Sequence, residues 1–246
     1  MAPKVRVDAR VVALGLANSP EMAARLIRAG LVYGPDRRLD KPGHLIEADL
    51  EVTVKGAEHP YVSRGGLKLA GALDAFAIDP TGRVALDLGA STGGFTDCLL
   101  QRGAALVYAI DVGRSQLHSK LLADVRVVSR EQTHLDSLEA AQFTPPPTLV
   151  VADLSFISAT RALGPIQRVA PGSDSIILVK PQFEVHRDLV PRGGVVRDAA
   201  LHEEAVRFVA DSAHAAGFQV LGQAESPIEG GDGNREFFLY LKLPSP

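Results

Sequence analysis

From residue 83 onward the chain alternates short apolar runs with helix-length amphipathic stretches, and nothing else in it restricts the possible folds so tightly. The runs at 83–88, 106–111, 125–128, 149–153 and 175–180 have strand length and are rich in Val, Leu and Ile. Little polar alternation breaks them, so both faces of each strand need cover, as in a parallel sheet with helices on either side. A long amphipathic helix is predicted over 198–216, ahead of Gly217. Strands at 218–225 and 236–243 then follow, with only a Gly230-Gly231-Asp232-Gly233-Asn234 turn between them. A parallel crossover needs about a dozen residues or more, so this last pair must be antiparallel. The predicted fold class is α/β, a Rossmann-like, mostly parallel seven-stranded sheet with its last strand antiparallel.

The first 55 residues follow another pattern. Apolar residues at helical spacing run over 7–14 and stop at Gly15. Ser19-Pro20-Glu21 has the form of a helix start, a hydroxyl cap followed by proline and an acid. Met22, Leu26 and Ile27 supply the apolar stripe, and Gly30 stands where a helix ends. Leu31-Val32-Tyr33, a Gly34-Pro35-Asp36 turn and a strand over 51–54 complete a small α+β unit. Glycine, proline and charge over 55–60 read as a linker. The expected division is a small domain over 1–58, a linker over 59–66 and the α/β domain over 67–246.

Composition removes several function classes. No apolar run approaches the ~20 residues of a membrane-spanning helix, and Met1-Ala2-Pro3-Lys4 leads into no signal-peptide core. The single cysteine, Cys98, excludes an intramolecular disulfide and suits a reducing cytoplasm, the expected location. It lies in an apolar helical stretch over 95–100, the setting of a buried bystander rather than a nucleophile. His44, His59, His118, His186, His202 and His214 form no metal-ligand spacing with it, so no metal is expected. The net charge of −3 is unevenly spread: residues 1–68 carry 11 Lys/Arg against 8 Asp/Glu, the remainder 15 against 21. A positive excess in the N-terminal part permits nucleic-acid binding there.

The strand Val84-Ala85-Leu86-Asp87-Leu88 runs directly into Gly89-Ala90-Ser91-Thr92-Gly93-Gly94-Phe95, a glycine-rich turn opening a helix. Such turns let backbone approach a nucleotide closely. Asp111 ends the next strand 22 residues after Gly89, where a ribose diol is gripped. A dinucleotide fingerprint wants glycine where Ser91 stands, and Asp87 suits the ammonium of a methionine moiety better than a phosphate. Both features favour S-adenosylmethionine as cofactor over NAD. Candidate cofactor-binding residues are Asp87, Gly89, Ala90, Ser91, Gly93, Gly94, Phe95, Asp111, Val112, Thr133, His134 and Asp153. His134, in Glu131-Gln132-Thr133-His134, reads equally well as an adenine-side contact or as a solvated loop residue.

Four charged residues converge by topology. Asp153 ends the fourth strand and Lys180 the fifth, so both project at the carboxyl edge, where ligands of open α/β sheets bind. Glu236 opens a strand running the other way and reaches the same edge; Lys68 lies on a helical segment over 65–76 that can pack beside it. A structural ion pair is the plainer alternative for Asp153 and Lys180.

Lys68, Asp153, Lys180 and Glu236 resemble the Lys-Asp-Lys-Glu pattern of FtsJ-like RNA 2′-O-methyltransferases. Five longer stretches, Val62 to Gly65, Gly89 to Phe95, Asp153 to Ser158, Lys180 to Glu184 and Gly193 to Val196, resemble the TlyA (hemolysin A) family of ribosomal RNA cytidine-2′-O-methyltransferases. Residues 5–55 are similar to the αL-type RNA-binding domain of that family. The chain departs from the family pattern at Ser19-Pro20, Tyr61 and His134. The resemblance implies methyl transfer from S-adenosylmethionine to a cytidine ribose, with ribosomal RNA or ribosomal subunits as partner; one or both subunits as substrate, and the oligomeric state, stay open. Lys180 is the implied base, able to act if desolvation and the nearby Lys68 ammonium lower its pKa. Asp153 would hold Lys180, and Glu236 would orient a lysine or the ribose. Arg6, Arg10, Arg25, Arg28, Arg37, Arg38, Lys41 and Arg64 are candidate RNA contacts. Two alternatives stay open: an RNA-binding assembly factor without catalysis, and a membrane-active haemolysin, which no amphipathic membrane helix or barrel alternation favours.

Overall fold

The computed structural model describes residues 3–17, 19–28, 30–54 and 59–244. The chain divides into two compact units, Met1–Pro60 and Tyr61–Pro246. Residues 55–58 of the linker expected over 55–60 lie outside the described residues.

In the first unit, strand β1 (Lys4–Arg6) leads into helix α1 (Val7–Ala13), followed by α2 (Pro20–Arg28), β2 (Val32–Tyr33), β3 (Leu45–Glu47) and β4 (Thr53–Val54). Helix α2 begins as the sequence predicts: Ser19 Oγ accepts the Met22 amide at 3.2 Å, and proline holds the first helical position. Val7, Val11, Ala23, Ile27, Val32, Leu39, Ile46 and Val52 form its core. The sequence reading misses β1 and β3. They pair antiparallel, with Lys4 opposite Glu47 and Arg6 opposite Leu45. Three residues are too few to show a period, so pairing rather than pattern defines these strands. Strands β2 and β4 form a second antiparallel pair.

The second unit begins at Tyr61, and its first helix α3 (Gly65–Ala75), expected over 65–76, takes in the last two residues of the linker expected over 59–66. It continues through β5 (Val84–Leu88), α4 (Gly94–Gln101), β6 (Leu106–Ile110), α5 (Ser119–Leu122), β7 (Val127–Arg130), β8 (Leu149–Ala152), α6 (Leu163–Val169) and β9 (Asp174–Val179). Helices α7 (Pro181–Glu184) and α8 (Ala199–Ala215) and strands β10 (Gln219–Glu225) and β11 (Phe237–Lys242) complete it. These strands form one seven-stranded sheet in the order β10-β11-β9-β8-β5-β6-β7. Strand β11 is antiparallel to both its neighbours, and the pairs among β7, β6, β5, β8 and β9 are parallel.

Successive residues of one strand enter opposite cores, which explains the continuous apolar runs. Leu86, Val150 and Ile177 pack on one face with Ile166, Val206 and Val209; Ala85, Val151 and Ile176 pack on the other with Leu69, Leu73 and Leu99. Strand β7 begins two residues later than its apolar run predicts. Asp124 makes a turn there, accepting the Arg126 amide on its carboxylate and the Val127 amide on its carbonyl, and Val125 is left 97% exposed. A hydrophobic residue next to an Asx turn is drawn out of the ladder by the turn.

Candidate active site

The glycine-rich turn follows β5 as expected, but its glycines are explained by the protein itself. Gly89 has φ +84°, and a Cβ there would stand 2.5 Å from the Asp153 carbonyl oxygen. Gly93 has φ +93°, and a Cβ would run into the Leu121 and Leu117 side chains. These two residues let β5, β8 and the segment around α5 converge at one edge of the sheet.

Asp87 sits beneath this turn, fully buried. Its Oδ2 accepts the Thr96 hydroxyl at 2.6 Å, and its Oδ1 has no hydrogen-bond partner. Burial, with the Asp153 and Asp111 carboxylates nearby, pushes its pKa up to about 7. An orphaned buried carboxylate oxygen is costly unless a cation meets it. This oxygen fits the ammonium of a methionine moiety.

Asp111, just past β6, holds the turn: its Oδ2 accepts the Ser91 amide at 2.8 Å and its Oδ1 the Gly113 amide at 2.7 Å. Each oxygen keeps a second lone pair, enough for a ribose diol. Val112 is 59% exposed beside it, an apolar surface for a flat base. Thr133 stands close by, its amide donating to the Asp111 carbonyl at 2.9 Å. His134 is exposed just past it, opening a short 3₁₀ turn. Glu131, in the loop expected on the adenine side, is instead engaged by the backbone: it accepts the amides of Ser115, Gln116 and Leu117. Three amide bonds hold its carboxyl below the ordinary range. Ala90, Gly94 and Phe95 are buried around the turn.

The four charged candidates form two ion pairs. Lys68 Nζ, on α3, lies 2.5 Å from Glu236 Oε2, their side chains 10% and 3% exposed. Lys180 Nζ, at the N-cap of α7, lies 2.5 Å from Asp153 Oδ1 and donates to Ser155 Oγ at 2.8 Å. The Asp153 contact is ionic rather than directional, since Oδ1 accepts no well-aligned hydrogen bond. Asp153 follows β8 and Glu236 precedes β11, each one residue outside its strand, so strand direction brings both to one edge. The Lys68–Glu236 pair is buried and the Lys180–Asp153 pair partly so, at adjacent strand ends, and such pairs gain little stability over apolar packing. Charges kept under such cover are available for chemistry.

Several residues of the motif stretches after β8 and β9, given no individual role by the sequence, meet at this edge. Phe156 is 88% exposed with φ +69°, its ring 5.5 Å from that of Phe183. Phe183 in turn lies 6.0 Å from Lys180 Nζ. Glu184 accepts Ser158 Oγ at 2.6 Å and the Ala159 amide at 2.7 Å, and burial raises its pKa. The stretches after β8 and after β9 therefore brace one another. The sequence marks both stretches but not their contact.

Of the candidate RNA contacts, Arg6 is ion-paired with Asp8 at 2.6 Å and Arg38 with Asp40 at 3.6 Å. Arg10 donates to the Leu50 carbonyl, and Arg37 lies 3.2 Å from His44 Nε2. Arg25, Arg28 and Lys41 are exposed. Arg64, in the second unit, donates to the Glu229 carbonyl at 2.7 Å. Cys98 is buried and its thiol is pushed up to about 11 by desolvation. Among the described residues no group of three His, Cys, Asp or Glu could hold a metal ion, and no helix is long and apolar enough to cross a membrane.

A dinucleotide-binding domain would not carry β11 inserted antiparallel between β9 and β10; with the acid beneath the turn, the fold and site define a Rossmann-like methyltransferase. Residues 61–243 match the FtsJ-like methyltransferase family. The chain is 46% identical over 244 residues to the 16S/23S rRNA (cytidine-2′-O)-methyltransferase TlyA of Mycobacterium tuberculosis, covering 98% of this chain and 91% of that one. It is 37% identical over 239 residues to hemolysin A of Brachyspira hyodysenteriae, covering 96% and 99%. A solved structure from Streptococcus thermophilus superposes with a TM-score of 0.77 at 43% identity, covering 100% of this chain and 91% of that one. The chain belongs to the FtsJ-like methyltransferase family and, within it, to the TlyA (hemolysin A) group. Its cofactor is S-adenosylmethionine.

Proposed function

We propose that this protein methylates the 2′-hydroxyl of a cytidine ribose in ribosomal RNA, with Lys68, Asp153, Lys180 and Glu236 as its reacting site. The observation that carries this is the convergence of a buried Lys68–Glu236 pair and a Lys180–Asp153 pair, its carboxylate partly exposed, at the edge where Asp87 presents an unpartnered carboxylate oxygen. S-adenosylmethionine supplies an electrophilic methyl group on a sulfonium. Asp87 takes its ammonium, Asp111 its ribose, and Val112, Thr133 and His134 line the adenine side. Gly89, Ala90, Ser91, Gly93, Gly94 and Phe95 form the turn beneath it.

A ribose hydroxyl attacks well only if aligned and relieved of its proton as the new bond forms. Lys180 accepts that proton as the neutral amine and becomes the ammonium that Asp153 holds and orients, and Lys68, held by Glu236, places a positive charge beside the target. Phe156 offers an exposed ring on which the target base stacks once it leaves its helix. In the N-terminal unit Arg10, Arg25, Arg28, Arg37 and Lys41 contact phosphates, and Arg6 and Arg38 do so on exchanging their carboxylate partners. A cytoplasmic location accords with ribosomal RNA as substrate.

The test is an RNA carrying a 2′-deoxy nucleotide at the target and otherwise unchanged. Transfer should vanish while binding stays nearly constant, because phosphate contacts dominate affinity. Methylation of the deoxy substrate would move the acceptor to a base atom and remove the four-residue site with it.

A further inference from the structure

Of the thirteen arginines of the second unit, six are ion-paired, Arg64, Arg114, Arg130 and Arg207 stand elsewhere, and three share one loop. Arg83, Arg102, Arg126, Arg161, Arg168 and Arg235 each lie within 4.0 Å of an Asp or Glu carboxylate and are neutralised locally. Arg187, Arg192 and Arg197 are exposed and stand in no ion pair among the described residues. They share one loop between α7 and α8, a short stretch that begins immediately after Lys180 and its helix.

That loop is pinned at both ends and open between them. Val185 and Val196 are buried. Asn234, 1% exposed, donates to the Gly194 carbonyl and accepts the Val196 amide, both at 2.9 Å. His202 Nε2 lies 2.8 Å from the Val196 carbonyl. Asn234 stands two residues before Glu236, so the loop is fastened to the segment that delivers a member of the reacting site. Gly193 and Gly194, at φ +98° and +77°, form the bend between Arg192 and Arg197. Across 186–197 the only acid is Asp188, 3.4 Å from His186.

Unpaired guanidiniums on an anchored loop that follows the helix capped by Lys180, in a unit of net negative charge, fit an extended anion. We propose that Arg187, Arg192 and Arg197 form a phosphate clamp that holds the RNA backbone flanking the target ribose. This rests on RNA as the substrate of the site and adds that the catalytic unit carries its own backbone-recognition surface. These are positioning residues: they touch phosphates, not the reacting atoms.

The test replaces all three, R187A/R192A/R197A, in the full chain and measures retention of ribosomal RNA on filters across a salt series, beside steady-state methyl transfer. Each contact to single-stranded RNA contributes about 0.7 to the slope of log affinity on log salt, so the slope should fall by about 2. The same relation gives ~5-fold per arginine at 0.1 M salt, ~10²-fold for the three, read as a rise in KM with kcat largely kept. The triple lysine variant should keep most of the slope. Unchanged slope and KM in a variant that binds S-adenosylmethionine normally would overturn the clamp. Because retention is read without catalysis, a wild-type chain that binds RNA but transfers no methyl would count against the proposed reaction and still test the clamp. If the triple alanine variant fails to fold, R187A and R192A singly should each lower the slope by ~0.7, and no change in either refutes it.

Discussion

Binding of S-adenosylmethionine should release a proton from Asp87. Its carboxyl titrates near pH 7 because it is fully buried, accepts one hydrogen bond from Thr96 and leaves its other oxygen bare. At pH 7 about half of the molecules carry the proton, and at pH 6 about nine tenths. An ammonium set against the bare oxygen favours the ionised form and returns the group toward its ordinary range near 4. Binding should therefore expel about 0.5 proton at pH 7 and about 0.9 at pH 6, with affinity falling about tenfold per pH unit below 7, or ~1.4 kcal/mol. Calorimetric titrations in phosphate and in Tris reveal the released proton through their different ionisation heats. S-adenosylhomocysteine keeps the ammonium and should release the same proton. Asp87→Asn should bind more weakly at pH 8 and lose the pH dependence. The sign on stability follows from a raised pKa: the neutral form favours folding at low pH, and that contribution is lost as pH rises from about 4 to about 7. The upward shift of Tm by the donor should accordingly be larger at pH 8 than at pH 6. Buffer-independent heats together with a flat Kd between pH 6 and 8 would refute the assignment of Asp87.

Lys180→Ala should lower turnover by ~10² or more with donor affinity within a few-fold, measured by single-turnover methyl incorporation and calorimetry; near-normal turnover would move the base to another residue. Glu236→Gln leaves the Lys68 ammonium unpaired under cover and should cost ~3–5 kcal/mol of stability in urea denaturation, the usual scale for breaking a buried pair. Deleting residues 1–58 should abolish activity on ribosomal subunits while circular dichroism and donor binding report a folded catalytic unit; full activity of the truncated protein would remove the N-terminal unit from recognition.

The sheet of the second unit is legible in the sequence because its strands are long and covered on both faces, so each leaves an uninterrupted apolar run. Strands β1 and β3 are not, since three residues carry no period and only their mutual pairing defines them. The start of β7 is displaced by the side chain of Asp124, a local hydrogen bond outside any hydrophobic count. At the site, strand ends identify Asp153, Lys180 and Glu236, because direction in the sheet follows from connection length. Adjacent strand ends also give the Asp153–Lys180 pair; that Lys68 is the partner of Glu236 does not follow, since the two are 168 residues apart and only packing joins them. Phe156 and Asn234 were hidden for a similar reason: one faces outward and the other inward, each against the habit of its residue type. The turn glycines are legible along the chain, but their packing is not: the Asp153 carbonyl crowds Gly89 and the Leu121 side chain crowds Gly93, contacts that no local pattern records.

The position of β11 sets an order of events. It is the last strand of the sheet to be synthesised, yet it lies between β9 and β10 and brings Glu236 to Lys68. While the chain is still emerging, the lysine exists without its counter-charge and the sheet stops at β9. On the proposed four-residue site, a growing polypeptide with a nearly complete fold lacks one reacting group until the final hairpin closes. Loss of that hairpin by early termination or proteolysis would remove activity and leave an unpaired cation facing an exposed sheet edge, a form that quality-control proteases can recognise.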